Sequence, residues 1–251
     1  MKKLANKTAI VTGGSRDIGR AVSERLAAEG ANVVVNYCNN SADGEATLAA
    51  ITAAGGKAIL VKADLTKPAD ADRLVAETLA AFGPTIDILV NVAGGMVARK
   101  ALAEMDLDFL NQVLALNVAS TFLATKAAVP HMQAGGSIIN LASQAGRDGG
   151  GPGAAAYATS KGAVMTFTRS IAKELGPKGI RVNSLCPGMI ATSFHDIFTK
   201  DAVRESVAAG TPLRRQGRAD EVAAAVAYLA SDDASFITAT NIDINGGTFF
   251  S

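Results

Sequence analysis

The chain has 251 residues, a formal net charge of +1, and 49% hydrophobic but only 5% aromatic residues. Near-neutral charge without a dense Lys/Arg cluster leaves no electrostatic footprint for nucleic acid; Cys38 and Cys186 make neither a disulfide framework nor a metal-ligand spacing; and two histidines, His131 and His195, offer little for a Ser/His/Asp triad or a zinc site. No apolar run approaches the ~18 residues of a membrane span and no signal-peptide core precedes the first glycines, so a cytoplasmic protein cored by Ala, Val, Ile and Leu is expected, with neither nucleic acid nor membrane as partner.

Seven β-branched runs are predicted as strands: Thr8–Thr12, Asn32–Asn36, Ala58–Lys62, Ile86–Asn91, Ser137–Ala142, Ile180–Cys186 and Asn241–Asn245. Several are continuously apolar, as Val33-Val-Val35 and Ile88-Leu-Val90 are, which suits strands buried on both faces. Helical patterns near Ile18–Glu29, Ser41–Ala54, Ala69–Phe82, Asp106–Gln133, Ala154–Gly176 and Asp220–Ala230 fall between them. Regular alternation predicts a single α/β domain over 1–251, a doubly wound, seven-stranded parallel sheet of the Rossmann type with ligands beyond the carboxyl ends of the strands. Residues 187–218, rich in Gly, Pro and polar residues, form the one long insertion. It reads as a lid or substrate loop, with a plain surface excursion the competing reading.

The first strand ends in Thr12-Gly-Gly-Ser-Arg-Asp-Ile-Gly19 and a helix follows at once. Glycines there let backbone approach a pyrophosphate, and the helix N-terminus offers free N–H groups and partial positive charge. Downstream, Tyr157 and Lys161 lie one helical turn apart and can present a phenol and an ammonium to one small volume. A neighbouring cation lowers a tyrosine that titrates near ~10 by ~1–3 units, which would let the phenol exchange protons near neutrality. The spacing alone is common by chance. Its weight comes from the Gly-rich turn and from Ser143, at the end of an apolar run just upstream.

On these residues the chain resembles the short-chain dehydrogenase/reductase family along essentially its whole length. The family's fingerprint, Thr-Gly-x-x-x-Gly-x-Gly, is met except that Asp17 stands in place of the middle glycine; it is read as turning outward as a helix cap, not toward phosphate. The resemblance implies NAD(P)-dependent hydride transfer between nicotinamide and a carbonyl/alcohol pair. The catalytic set it implies is Asn117, Ser143, Tyr157 and Lys161: Lys161 lowers the Tyr157 pKa and reaches the nicotinamide ribose, and Asn117 helps hold a relay water. For the cofactor it implies Gly13, Ser15, Arg16, Asp17, Ile18 and Gly19 in the turn, Asn36 and Tyr37 after the second strand, Asp64 and Leu65 after the third, and Asn91, Ala93 and Gly94 after the fourth. Pro187, Gly188, Ile190 and Thr192 match the segment beside the nicotinamide, and Asn245-Gly-Gly247 the C-terminal turn. The fourteen-residue gap from Ser143 to Tyr157 carries one more residue than the usual pattern, placed within Gly149–Gly153. No metal is called for.

The second strand ends in Asn36-Tyr37-Cys38 without the acid that would accept the ribose hydroxyls of NAD, and Arg16 lies in the turn, so NADP is expected over NAD. A small polar ketone or aldehyde, sugar or keto acid, is the leading substrate reading, with Arg99, Lys100, Arg147 and His195 at the expected mouth as groups that could meet it. A 3-oxoacyl-carrier reductase is the alternative. It needs a basic docking face, which Val129–Gly136 lacks and Arg169 and Lys173 supply in part. A non-catalytic NADP(H)-sensing module is the second alternative, disfavoured by the complete catalytic set. A homotetramer is expected from the resemblance and from the apolar character of the helices at Asp106–Gln133 and Ala154–Gly176.

Overall fold

Successive residues of a strand face opposite sides of a sheet, and in the central strands of this chain both sets are apolar. Ala9, Val11, Val33, Val35, Ile88, Val90, Ile139 and Leu141 pack into one core, while Ile10, Val34, Leu89 and Ile138 pack into a second on the other face. A sheet with two apolar faces needs helices on both. The computed structural model describes residues 2–250 and meets this requirement.

In chain order the elements are β1 (Thr8–Thr12), α1 (Asp17–Ala28), β2 (Asn32–Tyr37), α2 (Ser41–Ala53), β3 (Lys57–Lys62), α3 (Pro68–Phe82), β4 (Ile88–Asn91), α4 (Leu107–Leu114), α5 (Ser120–Ala128), β5 (Ser137–Leu141), α6 (Ala145–Asp148), α7 (Ala155–Leu175), β6 (Arg181–Pro187), α8 (Ser193–Phe198), α9 (Asp201–Gly210), α10 (Ala219–Ala230) and β7 (Asn241–Ile244). All seven strands pair in parallel, in the order β3-β2-β1-β4-β5-β6-β7. Val22 and Leu26 of α1 and Val222 and Val226 of α10 fill one core; Leu74 of α3, Ala124 of α5 and Leu175 of α7 fill the other. The order reverses between β1 and β4, and the crevice beyond their carboxyl ends is where such a sheet takes its ligand.

Every predicted strand is present to within two residues, but two helical expectations change. The run read as one helix over Asp106–Gln133 is α4 and α5 joined through a π-turn at Ala115–Ala119 and ended by a 3-10 turn at Val129–His131. Residues 107–131 are apolar and long enough to cross a bilayer by composition alone. Here Val113, Asn117, Thr121, Thr125 and Ala128 are buried within the domain. The insertion at 187–218, read as irregular, contains α8 and α9; Ile190 pairs with Gly217 in an isolated bridge that ties its two ends together.

Candidate active site

The turns after β1 and β4 meet at the reversal point. Gly13 adopts φ +59°, and a Cβ there would lie 3.0 Å from the backbone of Ala93. The Thr12 hydroxyl accepts the N–H groups of Val92 and Ala93 at 3.0 and 3.1 Å, and the Asn36 Oδ1 accepts the Gly13 N–H at 3.1 Å. A Cβ on Gly19 would lie 2.0 Å from the Gly13 carbonyl oxygen, so α1 starts directly beneath the turn. Bare backbone also faces the cleft at Gly94, where a Cβ would stand 2.5 Å from the Asn117 Oδ1 and 3.2 Å from the Lys161 Nζ.

Asn117 sits in the middle of the π-turn, a local widening of the helix often found at working sites. Its side chain is buried and staples the loop after β4: Nδ2 donates to the carbonyls of Gly95 at 2.8 Å and Val113 at 3.0 Å, and Oδ1 accepts from the Gly95 N–H. Ser143 follows β5. Lys161 is buried on α7, donates to the Leu141 carbonyl at 2.7 Å, and lies 5.8 Å from the centre of the Tyr157 ring. Asn117, Ser143, Tyr157 and Lys161 therefore converge on one side of the cleft. Between Ser143 and Tyr157, Gly149, Gly150 and Gly153 all take positive φ, which accommodates the long connection in glycine backbone.

Protonation differs from the sequence-based expectation. Burial holds the Tyr157 phenol above its ordinary pKa, and hydrogen bonding to Ser143 offsets this only in part. Burial lowers Lys161 to about 8. Burial, and not the ammonium, thus governs the phenol here, and at neutral pH a protonated Tyr157 stands beside a cationic Lys161.

Several residues expected to touch a cofactor lie beneath the surface of the cleft. Asn36 is 2% exposed, and its Nδ2 donates to the carbonyls of Tyr37, Val61 and Ala63, so it braces the Gly-rich turn. Leu65 and Ile190 are core residues. Asn91 belongs to a buried polar chain, donating to Thr125 and to Asn140, which in turn donates to Thr168. Ser15 is buried with its carbonyl held by Thr47, and Ile18 packs against the first core. Asp64 accepts from the Thr66 N–H and hydroxyl and pairs with Lys67, contacts that hold its carboxyl below the usual range, the Thr66 hydroxyl foremost. Arg16 and Gly94 are exposed and Tyr37, Gly188 and Thr192 half-buried, and the Gly188 N–H donates to the Ile244 carbonyl beside Pro187 at the end of β6.

Asp17 does not cap its own helix. With φ +50°, its carboxylate accepts from the Ser193 N–H at 2.9 Å and from the Ser193 hydroxyl at 2.5 Å, across to the start of α8. The cations expected at the mouth are likewise committed. Arg147 pairs with Asp243 at 3.0 Å, both side chains 14% exposed, and also donates to the Asn241 carbonyl. Arg99 joins the carbonyls of Phe198 and Pro152, and Lys100 lies over the Phe109 ring at 4.5 Å. Burial, with Arg204 and Arg99 nearby, lowers His195 to about 4, so its imidazole is neutral at pH 7.

A family model described as enoyl-(acyl carrier protein) reductase matches residues 13–248. The chain is 40% identical to a 3-oxoacyl-[acyl-carrier-protein] reductase of Synechocystis (98% of each chain) and 38% identical to glucose 1-dehydrogenase 2 of Bacillus subtilis (98% of this chain, 96% of the relative). A solved short-chain dehydrogenase/reductase from Serratia marcescens superposes with a TM-score of 0.92 at 38% identity, over 98% of this chain and 99% of that one. The chain belongs to the short-chain dehydrogenase/reductase family. It is an oxidoreductase of the NAD(P)-dependent class, with the seven-stranded Rossmann-like sheet of that family.

Three residues of this short-chain dehydrogenase/reductase, Ser193, Phe194 and Phe198, went unseen in the sequence reading, and the part played by a fourth, Thr12, was not anticipated. Thr12 heads the fingerprint but acts through its hydroxyl on the neighbouring turn. The Phe194 and Phe198 rings lie 5.1 Å apart, tilted at 56°, and Phe194 lies 5.7 Å from the Tyr157 ring, an aromatic wall that no periodicity announces. Ser193 is visible only through Asp17. For Arg147 the burial decides its role: Arg147→Met should lower unfolding free energy by roughly 3 kcal/mol, the scale of breaking a mostly buried pair, as read by urea denaturation. A change under 0.5 kcal/mol would instead place Arg147 among free surface charges.

Proposed function

We propose that the chain is an NADPH-dependent reductase of small, uncharged ketones or aldehydes, with Tyr157 as acid, Ser143 as hydrogen-bond donor to the carbonyl oxygen, and Lys161 and Asn117 as the groups that hold them in register. The observation that carries this reading is the protonated, buried Tyr157 beside Ser143 and Lys161 in the cleft beyond β4 and β5. The bare backbone at Gly13, Gly19 and Gly94 fits a dinucleotide, whose diphosphate the start of α1 would favour. A bound nicotinamide supplies the hydride. As it arrives, negative charge builds on the substrate oxygen; Ser143 donates to that oxygen and Tyr157 gives up its proton there. The Lys161 cation stabilises the phenolate left behind, and the family's ribose contact for it fits its place beside Gly94.

Three observations support the finer choices. At the ends of β2 and β3, Cys38, Asn39, Lys62, Asp64, Lys67, Asp70 and Arg73 line a cavity of about 370 Å³. Lys67 and Arg73 are paired with Asp64 and Asp70, whereas Lys62 has no carboxylate within ion-pair distance among the described residues, which favours the extra phosphate of NADP. Near Tyr157, the wall of Phe194 and Phe198 with a neutral His195 favours an uncharged substrate, sugar-derived ones included, over a keto acid. The relatives' names span glucose and 3-oxoacyl-carrier substrates; for the carrier reading this chain keeps Arg169 and Lys173 exposed on α7. Residues 187–218 serve as the lid in this reading. Exposed Leu107 and Phe122, the latter edge-on to Phe167 at 6.4 Å, support a homotetramer of a cytoplasmic enzyme.

Tyr157→Phe should cut carbonyl reduction by roughly a hundredfold or more with NADPH affinity close to unchanged, since only the acid is lost. Because the Lys161 pKa is lowered, its cation is present below and lost above about 8. The wild-type kcat/KM for reduction should hold toward neutral pH and fall as pH rises through that value; a flat profile to pH 10 would count against Lys161 as the supporting charge. A turnover screen of paired neutral and carboxylated carbonyl compounds, run with NADPH and NADH, should favour the neutral member and NADPH, each by roughly tenfold. Lys62→Glu should reduce the NADPH preference; preference for keto acids or NADH in the wild type overturns the corresponding choice. Sedimentation velocity should show an assembly near four times 25.5 kDa, and a stable monomer at micromolar concentration would remove the tetramer.

A further inference from the structure

The Gly-rich turn and the segment from Pro187 to Thr192 are the two lips between which, on the reading above, the dinucleotide diphosphate must lie. Asp17 and Ser193 join those lips across 176 residues of sequence: one carboxylate accepts both the backbone N–H and the hydroxyl of the residue that starts α8. Nothing in the local chain demands this. Asp17 stands at φ +50°, a conformation glycine takes freely and aspartate tolerates better than most residues. Its nearest cation is Arg16, 3.9 Å away and mostly exposed, so the carboxylate's short contacts are to Ser193. The side chain is only 27% exposed.

We propose that Asp17 and Ser193 form a clasp that holds the lid against the cofactor turn in the free protein and opens when the dinucleotide enters. The carboxylate is the anion that occupies the Ser193 donors until a phosphate oxygen of the cofactor takes them over. An anion replaces an anion, so the two compete, and the repulsion between them drives Asp17 off Ser193 as the diphosphate seats. The lid is thereby closed before binding by the chain itself and closed afterwards by the cofactor. Asp17 is a positioning residue in this scheme: it sets the rate of cofactor entry and the order of the lid, and takes no part in proton or hydride transfer.

The proposal rests on the cofactor reading, and its test separates the two. NADPH association would be followed by stopped-flow fluorescence, and amide hydrogen exchange over 190–210 would be followed without cofactor, for wild type, Asp17→Gly, Ser193→Ala and the double variant. Asp17→Gly suits the left-handed backbone, and Asp17→Asn, which keeps the bonds to Ser193 and removes the charge, guards against a trivial folding effect. Asp17→Gly should raise the association rate by roughly three- to tenfold and Ser193→Ala, which keeps the backbone N–H bond and loses only the hydroxyl bond, by less, with the double variant gaining no more than Asp17→Gly because that change already removes both bonds. Without cofactor, exchange over 190–210 should quicken in those variants and stay slow in Asp17→Asn; saturating NADPH should erase the difference. Unchanged exchange in Asp17→Gly, or additive rate gains, would overturn the clasp. Failure of the wild type to bind either dinucleotide would overturn the cofactor reading while leaving the exchange comparison to decide whether the clasp exists.

Discussion

The close approach of two backbone turns, one after β1 and one after β4, is the constraint on which the rest of the site depends. Gly13 and Ala93 can meet only because Gly13 has no Cβ, and α1 can begin under the same turn only because Gly19 has none. Thr12 and Asn36 then fix the contact from either side with buried hydrogen bonds. Unpaired, each of those buried groups would cost about 1–3 kcal/mol. The crevice exists because the sheet reverses its order at this point, and the side chains of Thr12 and Asn36 beneath its floor are spent on backbone partners.

From that floor the side chains of the candidate site are held at one remove. Asn117 does not depend on a regular helix for its place; the π-turn and its three contacts to Gly95 and Val113 lock it to the loop leaving β4. The buried chain Thr125, Asn91, Asn140 and Thr168 links α5, β4, β5 and α7 in one layer below the site. The two helices and two strands that flank Asn117, Ser143, Tyr157 and Lys161 are thereby joined by hydrogen bonds between buried side chains. Such a network specifies one arrangement more narrowly than apolar contact alone, because a shift leaves donors without acceptors.

The strands were legible because a two-faced apolar run such as Val33-Val-Val35 has few other uses, and the Gly-rich turn because its position between the first strand and first helix is a geometric requirement. What escaped was whatever depends on partners distant in sequence. The commitment of Arg147 to Asp243, the aromatic wall at Phe194 and Phe198, and the placement of Asn36 under the turn each involve residues that no local pattern connects. The π-turn escaped for a different reason: Ala115–Ala119 has ordinary helical composition, and the bond from Gly95 to Asn117 that accompanies the widening joins residues far apart in sequence.

The electrostatics of Tyr157 show why spacing and charge were insufficient for the last step. A cation one turn away lowers a phenol when both groups share water, yet here both are taken out of water. Desolvation penalises the charged form of each, so it raises the tyrosine and lowers the lysine together. The consequence is directional. A protonated phenol beside a still-cationic lysine is prepared to give a proton to an oxygen that gains charge, which is the need of carbonyl reduction. The reverse reaction requires the phenolate, whose formation the buried Lys161 can support only while it keeps its own proton. Burial of the pair, more than its spacing along α7, therefore keeps the phenol protonated at neutral pH.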